Sequence, residues 1–178
     1  LESWAVFADY TWHATDRLDL VVGARYTDDQ VDSQNQSEQA GAVPPCTGAP
    51  PCWTNFPRPE AKGSKSFDNV SPRFVALYQA TDDINVYGTI SQGYKAGGLS
   101  LGNNTNVEGN PAIVQPFKEE TLWNYELGMK SELWDNRVRL NASLYYMEWS
   151  DLQLESFRLL TPGDLSSNFE QTINIKDA

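Results

Sequence analysis

Few residues in this chain are placed to do chemistry. The lone histidine, His13, has no cysteine or serine partner at a recognisable spacing, and it opens a turn-like His13-Ala14-Thr15-Asp16-Arg17 stretch. It reads as a turn histidine, not as a base. Asp28, Asp29, Asp32 and Asn35 supply a row of oxygens, yet the spacing and glycine of an EF-hand loop are missing. No nucleophile stands beside a base, so neither an enzyme nor a cofactor or metal site is expected. The two cysteines, Cys46 and Cys52, frame CTGAPPC in a Pro-rich stretch. Their closeness suits a local disulfide formed in an oxidising compartment, worth about 2 kcal/mol in the chain-entropy model; unlinked thiols are the alternative. What remains is ligand contact. Trp53, Phe56, Arg58, Lys62 and Lys65 follow the cysteines, and Tyr94 with Lys95 ends an alternating run. Aromatic rings mixed with cations suit an anionic metal chelate, through stacking and charge-assisted hydrogen bonds. Solvated loop decoration is the competing reading.

The elements that must carry these residues are strands. Thr121–Leu133 places Trp123, Tyr125, Leu127, Met129, Ser131 and Leu133 on one face and Asn124, Glu126, Gly128, Lys130 and Glu132 on the other. After a Trp134–Arg137 turn, Val138–Trp149 alternates again, with Leu140, Ala142, Leu144 and Tyr146 against Arg139, Asn141, Ser143 and Tyr145. Such alternation between turn-bounded arms predicts an antiparallel hairpin. Trp4–Trp12 and Leu18–Thr27 form a second pair of arms, and Val70–Ala80 and Ile84–Tyr94 a third. Each arm has the span of about 9 to 11 residues that a tilted strand needs to cross a bilayer.

The connections divide into two kinds. Residues 13–17, 81–83 and 134–137 are tight turns, whereas about 28–69, 95–120 and 155–171 are long and polar. In a meander all the tight turns then fall at one end and all the long loops at the other. Transmembrane barrels of the bacterial outer membrane have this asymmetry, with short periplasmic turns and long extracellular loops. Strand charges such as Asp9, Arg25, Arg73, Glu126, Lys130 and Arg139 keep to one face. Trp4, Trp12, Tyr26, Tyr78, Tyr94, Trp123 and Trp134 lie near strand ends, where aromatic girdles belong. The formal net charge of −11 argues against nucleic acid as a partner. The expected fold is therefore all-β, an antiparallel up-and-down transmembrane barrel. A soluble secreted β-sandwich that binds carbohydrate and a passive porin or adhesin-type barrel are the alternatives. Six strands, with a seventh starting at Ile173, are too few for a closed single-chain barrel; the chain reads as a section of a longer protein.

Three stretches resemble the barrel of TonB-dependent outer-membrane receptors. They are SWAVFADYTWHATDRLDLVVGARYT, FDNVSPRFVALYQATDDINVYGTISQGYKAGG and FKEETLWNYELGMKSELWDNRVRLNASLYYMEWSDLQ. Within them Ser91–Gly98, Pro116-Phe117-Lys118 with Glu119-Glu120-Thr121, and Tyr125–Lys130 carry most of the likeness. The resemblance implies that residues 1–178 are a middle-to-late section of a 22-stranded barrel in the outer membrane of a Gram-negative bacterium. It implies outer-membrane lipid, a plug domain and, through the plug, the TonB energy-coupling complex as partners. It also implies active uptake of a scarce nutrient, a ferric siderophore foremost. Gly97-Gly98 is expected to supply backbone freedom where its strand ends.

Overall fold

The computed structural model describes residues 1–35, 38–42, 53–57, 60–103, 112–135, 137–159, 163 and 168–176. Every regular element among them is a strand: β1 (Glu2–Thr15), β2 (Leu18–Asn35), β3 (Glu38–Ala42), β4 (Trp53–Pro57), β5 (Ala61–Thr81), β6 (Ile84–Lys95), β7 (Gly98–Asn103), β8 (Ala112–Phe117), β9 (Glu120–Leu133), β10 (Val138–Ser150), β11 (Leu152–Leu159) and β12 (Asn168–Ile175). The six long strands make one antiparallel sheet in the order β1-β2-β5-β6-β9-β10. The pairs β3-β4, β7-β8 and β11-β12 are separate two-stranded sheets.

Period-2 alternation explains the main sheet. Tyr10, Val22, Phe74, Ile90, Tyr125 and Tyr146 stand directly opposite one another, one per strand, in an unbroken row. The neighbouring row runs Trp12, Leu20, Ala76, Gly88, Leu127, Leu144. Among the described residues nothing covers this apolar face: Leu127 is 60% exposed and Leu144 75%. A soluble sandwich would need a second sheet packed over it, and none of the small sheets lies there. Trp4 and Tyr26 pack 5.3 Å apart toward one end of the face, and Trp12, Tyr78 and Trp134 lie toward the other. Between the end rows, the apolar side chains have only solvent or lipid to meet.

The opposite face is mixed. One row holds Asp9, Gly23, Arg73, Ser91, Asn124 and Met147, and the next holds Thr11, Val21, Val75, Thr89, Glu126 and Tyr145. Val75 is buried, so this face has a small apolar strip of its own.

The tight turns fall where the alternation stops, at Asp16-Arg17, Asp82-Asp83 and 134–137. In the last of these Trp134 (φ 55°) and Asp135 (φ 54°) are both left-handed. Asp tolerates that conformation through its short polar side chain, whereas a bulky Trp is strained there.

Two expectations are corrected. The 28–69 stretch is not loop at its ends, because β2 and β5 stay in register through eighteen pairs, from Leu18–Tyr78 to Asn35–Ala61. That ladder is about 60 Å long at about 3.4 Å per residue, far beyond what crosses a bilayer. The chain at Ile173 is strand, as expected, but its pairing is not with the six-stranded sheet. It belongs to β12, which pairs with β11 from Leu152–Ile175 to Leu159–Asn168. β1 and β10 therefore remain at the two edges of the main sheet.

Candidate functional site

At the end of the sheet opposite the tight turns, three extensions pack on one another: the β2–β5 ladder, the β7–β8 hairpin and the β11–β12 hairpin. The β7–β8 hairpin lies between the protruding β2–β5 ladder on one side and β12 on the other. Glycines allow the close fit. A Cβ on Gly97 would lie 2.5 Å from the Phe67 ring and 2.5 Å from the Phe117 carbonyl oxygen, and one on Gly98 2.5 Å from the Phe117 ring. Neither glycine has a positive φ. They serve by lacking a side chain, not by the backbone freedom expected of them. Ala61, Phe67 and Phe169 are buried in this stack.

A polar clamp fixes the β11–β12 hairpin. Asp151 (φ 52°) breaks the chain direction between β10 and β11. The Glu120 carboxylate, itself buried, accepts the Gln153 backbone N–H at 2.7 Å. The Gln153 side-chain amide donates to the Ala96 and Lys118 carbonyls at 2.9 and 3.0 Å. Asn174, directly across from Gln153, accepts the Lys118 N–H at 2.7 Å and donates to the Lys118 and Asp151 carbonyls at 3.0 and 2.8 Å. Lys118 Nζ sits 3.6 Å from Asp151 Oδ1, and the Thr172 N–H donates to Ser100 Oγ at 2.9 Å. Two side-chain amides thus do the work of a missing ladder. Glu120 was visible within FKEET, but its partners lie too far along the chain for spacing to reveal them.

The residues expected to touch ligand are dispersed. Cys46, Cys52 and Arg58 lie outside the described residues. Trp53 and Phe56 fall in β4, opposite Ala42 and Gln39. Lys62 and Lys65, three apart on one strand, project to opposite faces of β5. Lys62 sits 3.8 Å from Glu60, and the Lys65 ammonium lies 4.7 Å from the centre of the Phe67 ring. Lys95 is exposed at the end of β6, opposite Glu120. Tyr94 lies beyond the Gln92–Trp123–Glu148 row, where polar residues end the apolar face. Its hydroxyl is buried without closing a well-formed hydrogen bond, so it does not join an aromatic girdle. The row of acids at 28–35 is part of β2, where alternation sends Asp28 and Asp32 one way and Asp29 the other. No cluster of three metal-binding side chains occurs among the described residues.

The mixed face carries a chain of shallow depressions. One of about 310 Å³ contains Asp9, Arg25, Ser71, Arg73 and Ser91. It adjoins one of about 610 Å³ through Arg73, and that in turn adjoins one of about 450 Å³ through Asn85 and Lys130. Tyr87 donates to Glu126 at 2.6 Å, and Lys130 lies 5.6 Å from the Tyr87 ring centre. At the turn end, His13 Nδ1 is 2.6 Å from Asp19 Oδ1, which gives the histidine a turn partner. This geometry can bind and guide a polar solute.

Residues 1–178 match the family model described as TonB dependent receptor-like, beta-barrel. The pesticin receptor of Yersinia enterocolitica is 32% identical over 156 residues, which are 87% of this chain and 20% of that receptor. The solved ferric yersiniabactin uptake receptor FyuA of Yersinia pestis is 31% identical, with a TM-score of 0.62 over 85% of this chain and 21% of its own. The copper transporter OprC, at 15% identity, shares the fold, with a TM-score of 0.66 over 98% of this chain and 25% of its own. The chain thus spans about a fifth of the length of the curated relatives it matches.

Proposed function

This chain belongs to the TonB-dependent receptor β-barrel family, and on that premise we propose that it forms part of the wall and mouth of an outer-membrane transporter for active uptake of a ferric siderophore. In this reading the Tyr10–Tyr146 row faces lipid and the Arg73 row faces the lumen. The tight turns are periplasmic, and the stretches at about 28–69, 95–120 and 155–171 are extracellular. Lipid, the protein's own plug and the TonB complex are its partners. The observation that supports the substrate class is the 31% identity to a ferric yersiniabactin receptor across 85% of this chain. The bare apolar face supports the membrane setting: placing one Arg at a bilayer midplane costs about 2 to 4 kcal/mol, and none lies in the two central rows. The loop cations and aromatics Trp53, Phe56, Arg58, Lys62, Lys65, Tyr94 and Lys95 enter this reading as first contacts at the mouth.

The test is uptake of ⁵⁵Fe-labelled siderophores by cells with and without the full-length gene, before and after the inner-membrane proton gradient is collapsed. Uptake that needs both the gene and the gradient is the expected result. Uptake that needs the gene but survives collapse of the gradient would mean a passive barrel.

A further inference from the structure

The β7–β8 hairpin is held at its root and on both flanks. At the root, Ala96 follows β6 and Lys118 leads back toward β9. One side-chain amide, that of Gln153, donates to the carbonyls of both, at 2.9 and 3.0 Å. Asn174 takes the N–H and the carbonyl of Lys118 at 2.7 and 3.0 Å, the two backbone groups that a neighbouring strand would take. Gln153 and Asn174 are a directly opposed pair of the β11–β12 hairpin. The two hairpins therefore share one root.

One flank of β7–β8 is keyed to the ladder. A Cβ on Gly63 would lie 2.8 Å from Leu99 Cδ1 and 3.3 Å from Val114 Cγ1, so both side chains of the hairpin rest on bare backbone. Gly63 belongs to the β2–β5 ladder, which runs without a register shift from Leu18–Tyr78 in the wall to Asn35–Ala61. On the other flank the Thr172 N–H of β12 donates to Ser100 Oγ at 2.9 Å.

Segments that move when a ligand binds come from the low-stability end of a structure, with few buried contacts and backbone bonds open to water. This stack has the opposite character. A hairpin swinging across the mouth would lift Leu99 and Val114 off Gly63 and bring the buried Phe67 into water. It would also strip Lys118 of both backbone partners, and unmade backbone bonds are costly.

We infer that the β7–β8 and β11–β12 extensions are one rigid body keyed to the wall, a fixed rim that keeps its place while ligand enters. Any closure over a ligand then falls to other parts of the mouth. This inference rests on reading this end of the sheet as the mouth of an active siderophore transporter.

The experiment uses the full-length receptor. Gly63→Cys with Leu99→Cys sets two thiols where glycine and leucine now touch, so that oxidation ties the hairpin to the ladder. Import is followed with a ⁵⁵Fe tris-catecholate and a ⁵⁵Fe tris-hydroxamate, wild type receiving the same oxidant and reductant. The oxidised and reduced variants are expected to import at the same rate. Import that stops on oxidation and returns on reduction overturns the rim, because the hairpin would then be a moving lid. Thiols that stay free under oxidant overturn it as well, since the hairpin would be seated elsewhere.

Hydrogen exchange of the purified receptor tests the shared root without ligand. Gln153→Ala should speed exchange about tenfold both at Thr172 and in β7–β8, from the loss of two ordinary hydrogen bonds, with β9 and β10 unchanged. Faster exchange confined to β11–β12 would show two independent hairpins and overturn the single body. Failure of wild type to import either probe sinks the siderophore reading, and exchange still decides the rim.

Discussion

The ring of Tyr87 lies across the backbone of Gly128, so close that a Cβ on the glycine would stand 2.3 Å from the ring. The two residues are a directly opposed cross-strand pair between β6 and β9. Lying flat lets Tyr87 reach Glu126 at 2.6 Å and sit beneath Lys130. Gly128→Ala should lift the ring and break both contacts, at an overpacking cost of about 1–3 kcal/mol. Heat-dependent gel mobility of the full-length barrel is the measurement, and a fall in the unfolding temperature is expected. Tyr87→Phe should do less harm, since it keeps the ring and loses only the hydroxyl. Identical stability of Gly128→Ala and wild type would show that the ring has room to move.

Leu144 and Tyr145 are sequence neighbours with opposite surroundings. Leu144 pairs with Leu127 on the bare apolar face, and Tyr145 pairs with Glu126 on the mixed one. Leu144→Arg should block assembly, since it puts a cation into lipid at about 2 to 4 kcal/mol. Tyr145→Arg should assemble, with Glu126 opposite to receive it. Surface abundance of each variant in outer-membrane fractions decides the matter, and equal loss of both would mean that the faces are misassigned.

Removing the Glu120 carboxylate should loosen the mouth without unfolding the wall. Its bond to the Gln153 N–H is charge-assisted and buried, a kind worth about 1.5–3 kcal/mol. Glu120→Ala is expected to expose Arg158, on β11, to trypsin in intact cells, while wild type resists. Glu120→Gln keeps an acceptor and should stay mostly resistant. A Glu120→Ala receptor as resistant as wild type would show that the hairpin is held by its apolar contacts instead.

The wall was legible in the sequence because its two faces differ, one apolar and bare and one mixed, and alternation records the difference. Trp123 to Leu133 and Val138 to Tyr146 could be assigned to faces before any coordinates, and the register bears this out. The protruding ladder was not legible. Gln30, Asp32 and Gln34 face Ser66, Ser64 and Lys62, and strands polar on both faces carry no period-2 signal to tell them from loop. That hid how two of the cations are placed, since Lys62 and Lys65 lie an odd number of residues apart and cannot share a strand face. The clamp was hidden for another reason. Gln153 meets Glu120 and Ala96 across 33 and 57 residues, and no local pattern encodes such a meeting. Gly97 and Gly98 were noticed, but only the Phe67 and Phe117 rings explain them.

The stacking of β7–β8 between the β2–β5 ladder and β12 bears on how such receptors can be re-engineered. Grafting a single loop from a relative would replace one slice of a laminate whose neighbours carry the matching contacts: Gly97 for Phe67 and Ser100 for Thr172. The transplantable module on this side of the mouth is the set of three extensions, exchanged together with the corner residues Lys118 and Glu120 that fasten the last of them.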